Sequence, residues 1–577
     1  MKVKVAKTAG FCWGVRRAIG MVLSLTNKEN LPIYTYGPLI HNNQALQMLR
    51  LRGIEVKSHL NDLAGQTIVI RTHGISPQER EKVKNSGAKI CDATCPKVAK
   101  VQAIIKKYVT QDYTILILGD KEHPEVQALL DFAQEKGRVI NNVRESFEEI
   151  DPAGKICLVA QTTQNEEVFR EIAKRVGEKV KDFKVFNTIC SSTSDRQKEV
   201  RKLAKSVEAM VVVGGRESAN TSRLAEISKS SGTPTIRVET EEELNPDWLR
   251  QFNCIGITAG ASTPNWMIER VISLVESIRG KDESRLFTFL SFLWTFLFKS
   301  NLFLALGAGS LSYAACRMQA IEPSLIYHFI AGFYVFAMHL LNQFTDKKAN
   351  RLNEPARVAF YEHYKFLLVT LGLCSSLGTL FLSILLGLRP FLVVLLASAF
   401  GLVYRIRIIP KFFGFRSLQE LPASRDLFQS LAWTLIIAVL PPFSQNKGLG
   451  MDTLTAGLFS FILVFVRSVI FDIRDIQGDM IVGKETLPIL IGKEKTKLLL
   501  TFLISILGLF IFFAGRNSWL DPVLSFLLII PIFYLFLYLY LYHQRMVWRG
   551  LSFEFMVDAS FLISGGITFL WFYLLMA

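Results

Sequence analysis

Two hydrophobic patterns divide this chain. Up to about Arg279, short apolar runs such as Thr114-Ile-Leu-Ile-Leu118 alternate with charged stretches of helical period such as 167–181, which predicts an α/β fold. From Leu286 onward, long apolar segments are separated by short polar loops, the pattern of an all-α polytopic membrane domain. The charged stretch Arg279-Gly-Lys-Asp-Glu-Ser-Arg285 separates the two, so the expected domains are residues 1–281 and 286–577.

The apolar segments predict nine spans, near 301–316, 325–342, 365–387, 390–404, 427–442, 454–471, 498–514, 521–541 and 553–576. An amphipathic aromatic stretch, 286–299, would lie along the interface before the first. Basic clusters follow the even-numbered spans: Lys347, Lys348, Arg351 and Arg357; Arg405, Arg407, Lys411 and Arg416; Arg474, Lys484, Lys493 and Lys495. Because basic loops stay in the cytoplasm, this predicts a multi-pass membrane protein with its N-terminal half cytoplasmic. The N-terminus has no apolar core of signal-peptide length before Cys12, in keeping with that placement.

The formal charge of +16 raises a nucleic-acid partner, but the soluble half has no basic stripe interleaved with aromatics, so none is expected. In a cytoplasmic half, its six cysteines should be reduced, which favours metal or redox use over disulfides.

Three of those cysteines stand in similar surroundings, each just before a predicted helix: Phe11-Cys-Trp13, Thr94-Cys-Pro96 and Ile189-Cys-Ser191. A polar residue in a Gly-containing turn follows each at nearly constant distance: His41 is 29 residues after Cys12, His123 is 28 after Cys95, and Ser218 is 28 after Cys190. A third station closes each unit, at His73, at Thr162-Thr163 and at Ser262. The units are longer than solenoid repeats, which predicts three α/β lobes about a pseudo-threefold axis. Equivalent stations would then converge, with three thiols on one side of a cavity and a ring of His, Ser, Thr and Asn on the other. Cys95 sits where a helix N-terminus would lower its pKa. Cys91, Cys157 and Cys254 lack counterparts and are assigned to packing, and His59 to an ordinary loop.

Three matched thiols without a fourth suit a four-iron cluster with one open iron. A zinc site is the competing reading, and it would need His41, His73 or His123 as its fourth ligand. The opposing ring has the chemistry of a phosphate site, and the strand-to-helix turn from Gly214 to Asn220 would supply Ser218 and Asn220 as donors. Glu125, in His123-Pro-Glu125, is either a proton carrier in a desolvated site or a solvated carboxylate in the first turn of a helix.

Cys12, Cys95 and Cys190, with His41, His73, His123-Pro-Glu125, Gln161-Thr-Thr163, Ser218-Ala-Asn220 and Thr258-Ala-Gly-Ala-Ser262, resemble the 4-hydroxy-3-methylbut-2-enyl diphosphate reductase family over the first half of the chain. The resemblance implies a [4Fe-4S] cluster on the three cysteines. His41, His73, His123, Ser218, Asn220 and Ser262, helped by Thr163, would grip the substrate diphosphate. Thr162 and Glu125 would face the hydroxyl, with Glu125 relaying protons. Ala219 stands where the family commonly has a second Ser, which removes one donor. A ferredoxin or flavodoxin would supply electrons.

The second half resembles the UbiA-type intramembrane prenyltransferases, whose two acidic motifs hold Mg²⁺ and a diphosphate. Asp472, Asp475 and Asp479 match the second motif, after the sixth span, and Tyr404 with Lys411 matches the intervening basic loop. The first motif, Asn342 to Asn350, keeps Asn342 and Asp346 but carries Gln343 and Asn350 in place of carboxylates. Losing two charges should weaken a two-Mg²⁺ site. The resemblance implies either prenyl transfer to a lipophilic acceptor or a non-catalytic anchor that binds prenyl lipid.

Overall fold

A computed structural model describes residues 1–26, 32–59, 63–141, 152–278, 281, 284–403, 423–543 and 551–575. Two compact units make up the chain, Met1–Glu283 and Ser284–Ala577.

The described residues of the first unit form twelve strands: β1 (Lys2–Val5), β2 (Ile33–Tyr36), β3 (Ile54–Lys57), β4 (Thr67–Ile70), β5 (Lys89–Asp92), β6 (Thr114–Leu118), β7 (Gly137–Ile140), β8 (Lys155–Ala160), β9 (Asp182–Val185), β10 (Ala209–Val213), β11 (Thr235–Val238) and β12 (Cys254–Ala259). They form three separate four-stranded sheets, ordered β3-β2-β4-β5, β7-β6-β8-β9 and β11-β10-β12-β1. The described pairings are parallel. All three sheets share one topology, and the third borrows its fourth strand from the N-terminus. The lobes are therefore offset from the units counted by cysteine: each cysteine follows the last strand of its lobe and does not open it.

Parallel sheets covered on both faces demand apolar residues at successive positions, which is why β6 reads Thr-Ile-Leu-Ile-Leu. Ile115 and Ile117 pack with Val101, Ile105 and Val126 on one side, while Leu116 and Leu118 pack with Phe169, Ile172 and Val176 on the other.

Among the described residues of the second unit, seven helices are long and apolar enough to cross a membrane: Leu325–Thr345, Lys365–Leu385, Ser424–Ser444, Met451–Val482, Lys493–Arg516, Pro522–His543 and Leu551–Tyr573. The stretch expected to lie on the interface is a helix, Arg285–Lys299, and its part from Thr288 meets Leu302–Met318 at a bend of 64°. The span expected at 390–404 is a shorter helix, Leu388–Val403, apolar over Leu388–Ala399. The acidic motif expected in a loop after the sixth span lies instead within one continuous 32-residue helix, Met451–Val482, which ends at Gly483 with φ of 82°. There a glycine, free of the Cβ penalty at positive φ, lets the chain turn out of the helix. Tyr404, Lys411 and their basic neighbours lie outside the described residues, as do several residues of the stretch between the domains.

Candidate functional site

Parallel strands put their C-terminal ends on one edge, and the loops leaving that edge carry the side chains that converge. The three cysteines leave β1, β5 and β9. Cys95 and Cys190 are the N-cap residues of the helices Pro96–Val109 and Ser191–Ala204, and Cys12 precedes Trp13–Thr26. The charges of Cys12 and Cys190 both bear on the Cys95 thiol. A Cβ placed on Gly14 would lie 2.8 Å from Cys95 Sγ and 3.9 Å from Cys12 Sγ, so glycine keeps the first helix clear of the thiols.

The expected lowering of the Cys95 pKa is reversed. Burial pushes this thiol up and outweighs the N–H donors of Lys97 and Val98 at the helix N-terminus. Three half-buried thiols, each at a helix start, come together here. Soft thiolate ligands in such a pocket fit an iron-sulfur cluster, which would stabilise their anionic form.

Opposite lies a histidine triad. His41 and His73 follow β2 and β4, and His123 follows β6 of the neighbouring lobe. A ring nitrogen from each lies within 4.8 Å of the others, with ring centroids 4.5, 5.4 and 5.4 Å apart. His123 caps the helix Pro124–Ala133, its Nδ1 accepting from the Glu125 N–H at 3.1 Å. Burial lowers all three pKa values, that of His123 to about 4, so the imidazoles are neutral.

The third lobe completes the ring. Ser218 caps the helix Ala219–Ser230, with buried Asn220 in its first turn. The Ser262 hydroxyl donates to the His41 carbonyl at 3.1 Å. A Cβ on Gly215 would lie 2.8 Å from that same carbonyl, which fixes glycine where the two lobes meet. Both ring nitrogens of His41, Nδ1 of His73 and both amide atoms of Asn220 are buried without a partner among the described residues. Such orphaned groups cost about 1–3 kcal/mol each unless something else satisfies them. Their convergence marks the ligand position, and the site suits an anion held by neutral donors.

Glu125 is 1% exposed, which excludes a solvated first-turn carboxylate. Its oxygens accept from Thr162 N–H at 2.7 Å and Thr162 O–H at 2.9 Å. Burial nonetheless raises its pKa to about 7, against the lowering effect of those bonds. Thr163 is half-buried beside them, and Ala219 sits in the phosphate-type turn without a donor to offer.

Arg196 escaped the sequence reading. Buried in the helix after Cys190, it donates to the Gly10 carbonyl at 2.6 Å and the Ala259 carbonyl at 3.1 Å, tying that helix to the loop before Cys12. An arginine of ordinary helical period carries no sequence signal for this. Of the cysteines assigned to packing, Cys157 is fully buried within β8.

In the second unit, the helix Met451–Val482 presents Asp472 and Asp479, each 1% exposed and each with Oδ2 unpartnered. Asp475 is taken up by Arg474, whose Nε lies 2.7 Å from it. Asp346, one turn after Asn342, pairs with Lys484 at 3.0 Å. Gln343 and Asn350 are bonded to each other at 2.9 Å, and Gln343 donates to Glu354 at 3.3 Å. Carboxylates at those positions would repel Glu354, so the amides belong to a rewired network. Asp426, from outside both motifs, is buried beside Asp472. Oxygen donors with free lone pairs fit a hard divalent cation such as Mg²⁺.

Residues 3–276 match the profile described as LytB protein, and residues 301–557 that of the UbiA prenyltransferase family. The 4-hydroxy-3-methylbut-2-enyl diphosphate reductase of Aquifex aeolicus is 41% identical over 280 residues, covering 48% of this chain and 96% of the relative. The reductase structure from Plasmodium falciparum is 28% identical at a TM-score of 0.47, covering 48% of this chain and 89% of that one. A UbiA homologue from Aeropyrum pernix K1 is 15% identical at a TM-score of 0.37, covering 46% and 97%.

Proposed function

Because the chain belongs, through its first half, to the 4-hydroxy-3-methylbut-2-enyl diphosphate reductase family, we propose that this half reductively removes the hydroxyl of (E)-4-hydroxy-3-methylbut-2-enyl diphosphate. Two electrons and two protons convert the substrate to isopentenyl or dimethylallyl diphosphate and water. Bound to Cys12, Cys95 and Cys190, a [4Fe-4S] cluster would supply single-electron reduction and a Lewis-acidic iron. His41, His73, His123, Ser218, Asn220 and Ser262, with Thr163, would hold the diphosphate. The orphaned atoms of His41, His73 and Asn220 carry this reading, since they include the Asn220 amide N–H groups and an imidazole N–H without partners among the described residues. Thr162 orients the Glu125 carboxyl, and Glu125, poised near pH 7, would deliver a proton to the departing hydroxyl. Electrons would come from a ferredoxin or flavodoxin, with the domain on the cytoplasmic face.

The test is anaerobic: purified protein, an iron count, a visible spectrum and turnover of the substrate with a reduced low-potential donor. Absence of both iron and turnover would sink the assignment.

For the second half we infer prenyl transfer: an acceptor nucleophile bonds to the prenyl C1 while Mg²⁺-bound diphosphate leaves. Asp472 and Asp479, with Asp346 and Asn342, would hold that complex in a membrane-embedded site. Mg²⁺-dependent diphosphate release from a long-chain prenyl diphosphate, abolished by Asp472→Asn, supports it. The bonding of Gln343 and Asn350 to each other favours a second reading, an anchor that binds prenyl lipid without turnover. Inactivity across lipophilic acceptors would select it.

A further inference from the structure

The buried charges of the second unit fall into two groups that balance differently. In one, Arg357 and Arg474 pair with Glu354, Glu554 and Asp475. Arg467 pairs with Asp558 at 2.5 Å. In the other, Asp426, Asp472 and Asp479 are each 1% exposed, and the described cations that bear on them are Arg425, bonded to Asp472 and 3.8 Å from Asp426, and Lys484, whose charge is already paired with Asp346 at 3.0 Å. Three carboxylates against one guanidinium leave two negative charges in a place where water does not compensate them, and a buried charge without a partner is strongly unfavourable.

The carboxylate oxygens are sorted by their partners. Ser468 O–H donates to Asp426 Oδ1 at 2.5 Å, Asn353 Nδ2 donates to Asp479 Oδ1 at 2.9 Å, and Arg425 holds Asp472 Oδ1. The Oδ2 atoms of Asp426, Asp472 and Asp479 have no partner among the described residues. Each residue is thus oriented by one oxygen and leaves the other free, as a ligand held by its surroundings does. Asp426 and Asp472 are also in side-chain contact with each other. Two carboxylates in contact repel unless a proton or a cation lies between them.

We propose that Asp426 is a ligand of a hard divalent cation, shared with Asp472. It supplies from the helix Ser424–Thr434 a carboxylate that the segment Asn342–Asn350 lacks. The site rests on the reading of this half as one that binds a diphosphate through Mg²⁺. It relocates part of the cation cage from the Asn342 segment to the head of the Ser424 helix. Asp479, seven residues along from Asp472 on the same helical face, is left free to engage a second ion or the diphosphate it bridges.

The test uses the full chain in detergent, stripped with chelator and titrated with Mn²⁺, free Mn²⁺ being read by electron paramagnetic resonance. Asp426→Asn and Asp472→Asn should each weaken one bound Mn²⁺ at least tenfold, and the double variant should lose no more than either single one, because both residues hold the same ion. Ser468→Ala, which touches only Oδ1, should retain the ion. Unchanged binding in Asp426→Asn alongside loss in Asp472→Asn overturns the proposal and leaves the diphosphate reading standing. Unchanged binding in both overturns the two together. Thermal unfolding separates a ligand from a structural residue. In chelator, Asp426→Asn should be at least as stable as the parent, since it relieves repulsion, but should lose the stabilisation that Mg²⁺ gives the parent. Lower stability in chelator would overturn the assignment.

Discussion

Both halves of this chain bury a cluster of polar groups, and they do it with opposite electrostatics. The first converges neutral groups, three imidazoles and an Asn220 amide, and the ring nitrogens of His41, Nδ1 of His73 and the amide atoms of Asn220 have no partner among the described residues. The second crowds carboxylates and guanidiniums that mostly bind one another. A site of neutral donors accepts an anion directly, because dipoles are cheaper to desolvate than ions. A site with excess carboxylate repels an anion and needs a cation first. Binding in the first half is thus a matter of preorganised dipoles, and in the second a matter of ion order.

The contrast is most sharply broken at the thiols. Cys95→Ser should leave a folded protein without visible cluster absorption and without reductase turnover, while Mg²⁺-dependent chemistry in the second half is unchanged. Retained absorption would refute the ligand assignment.

Next in size is the charge network. Arg357→Met leaves Glu354 and Glu554 buried with Arg474 as their remaining described cation, and loss of one member of a buried pair costs up to about 3–5 kcal/mol. The unfolding transition of the membrane half should drop, and the cluster spectrum should not follow.

Glu125→Gln should lower reductase kcat by about 10²–10⁴-fold with the cluster intact. Its pH profile is diagnostic. With a pKa raised to about 7, Glu125 carries its proton below neutrality and loses it above, so wild-type turnover should decline as pH rises through 7. The Gln variant should lack that limb.

The smallest effect tests the neutral imidazoles. The pKa of His123 falls from 6.5 to about 4 on folding, so the unfolded chain binds more protons in that interval. Its contribution to stability is complete above about pH 6.5 and is lost as pH falls toward 4. Inorganic diphosphate should reduce this acid sensitivity, because an anion stabilises the protonated ring. No change on adding it would weaken the case for the triad as the diphosphate cradle.

Much of this was legible in the residue order. The change from short apolar runs to long ones divided the chain, since strand and membrane-span lengths are fixed by backbone geometry and bilayer thickness. The repeated Cys–turn–turn spacing identified three lobes because each lobe places its loops at the same strand ends. Tertiary structure alone decided three things. It joined β1 to β12 across the sequence, shifting the lobes relative to the cysteine count. It set the protonation of Cys95 and Glu125 through burial, which depends on neighbours remote in sequence and outweighs the local helix N-terminus. And it brought Asp426 to Asp472, where an isolated aspartate at the head of a span became part of a cluster. Spacing fixes which groups share a face, but charge balance depends on which faces meet.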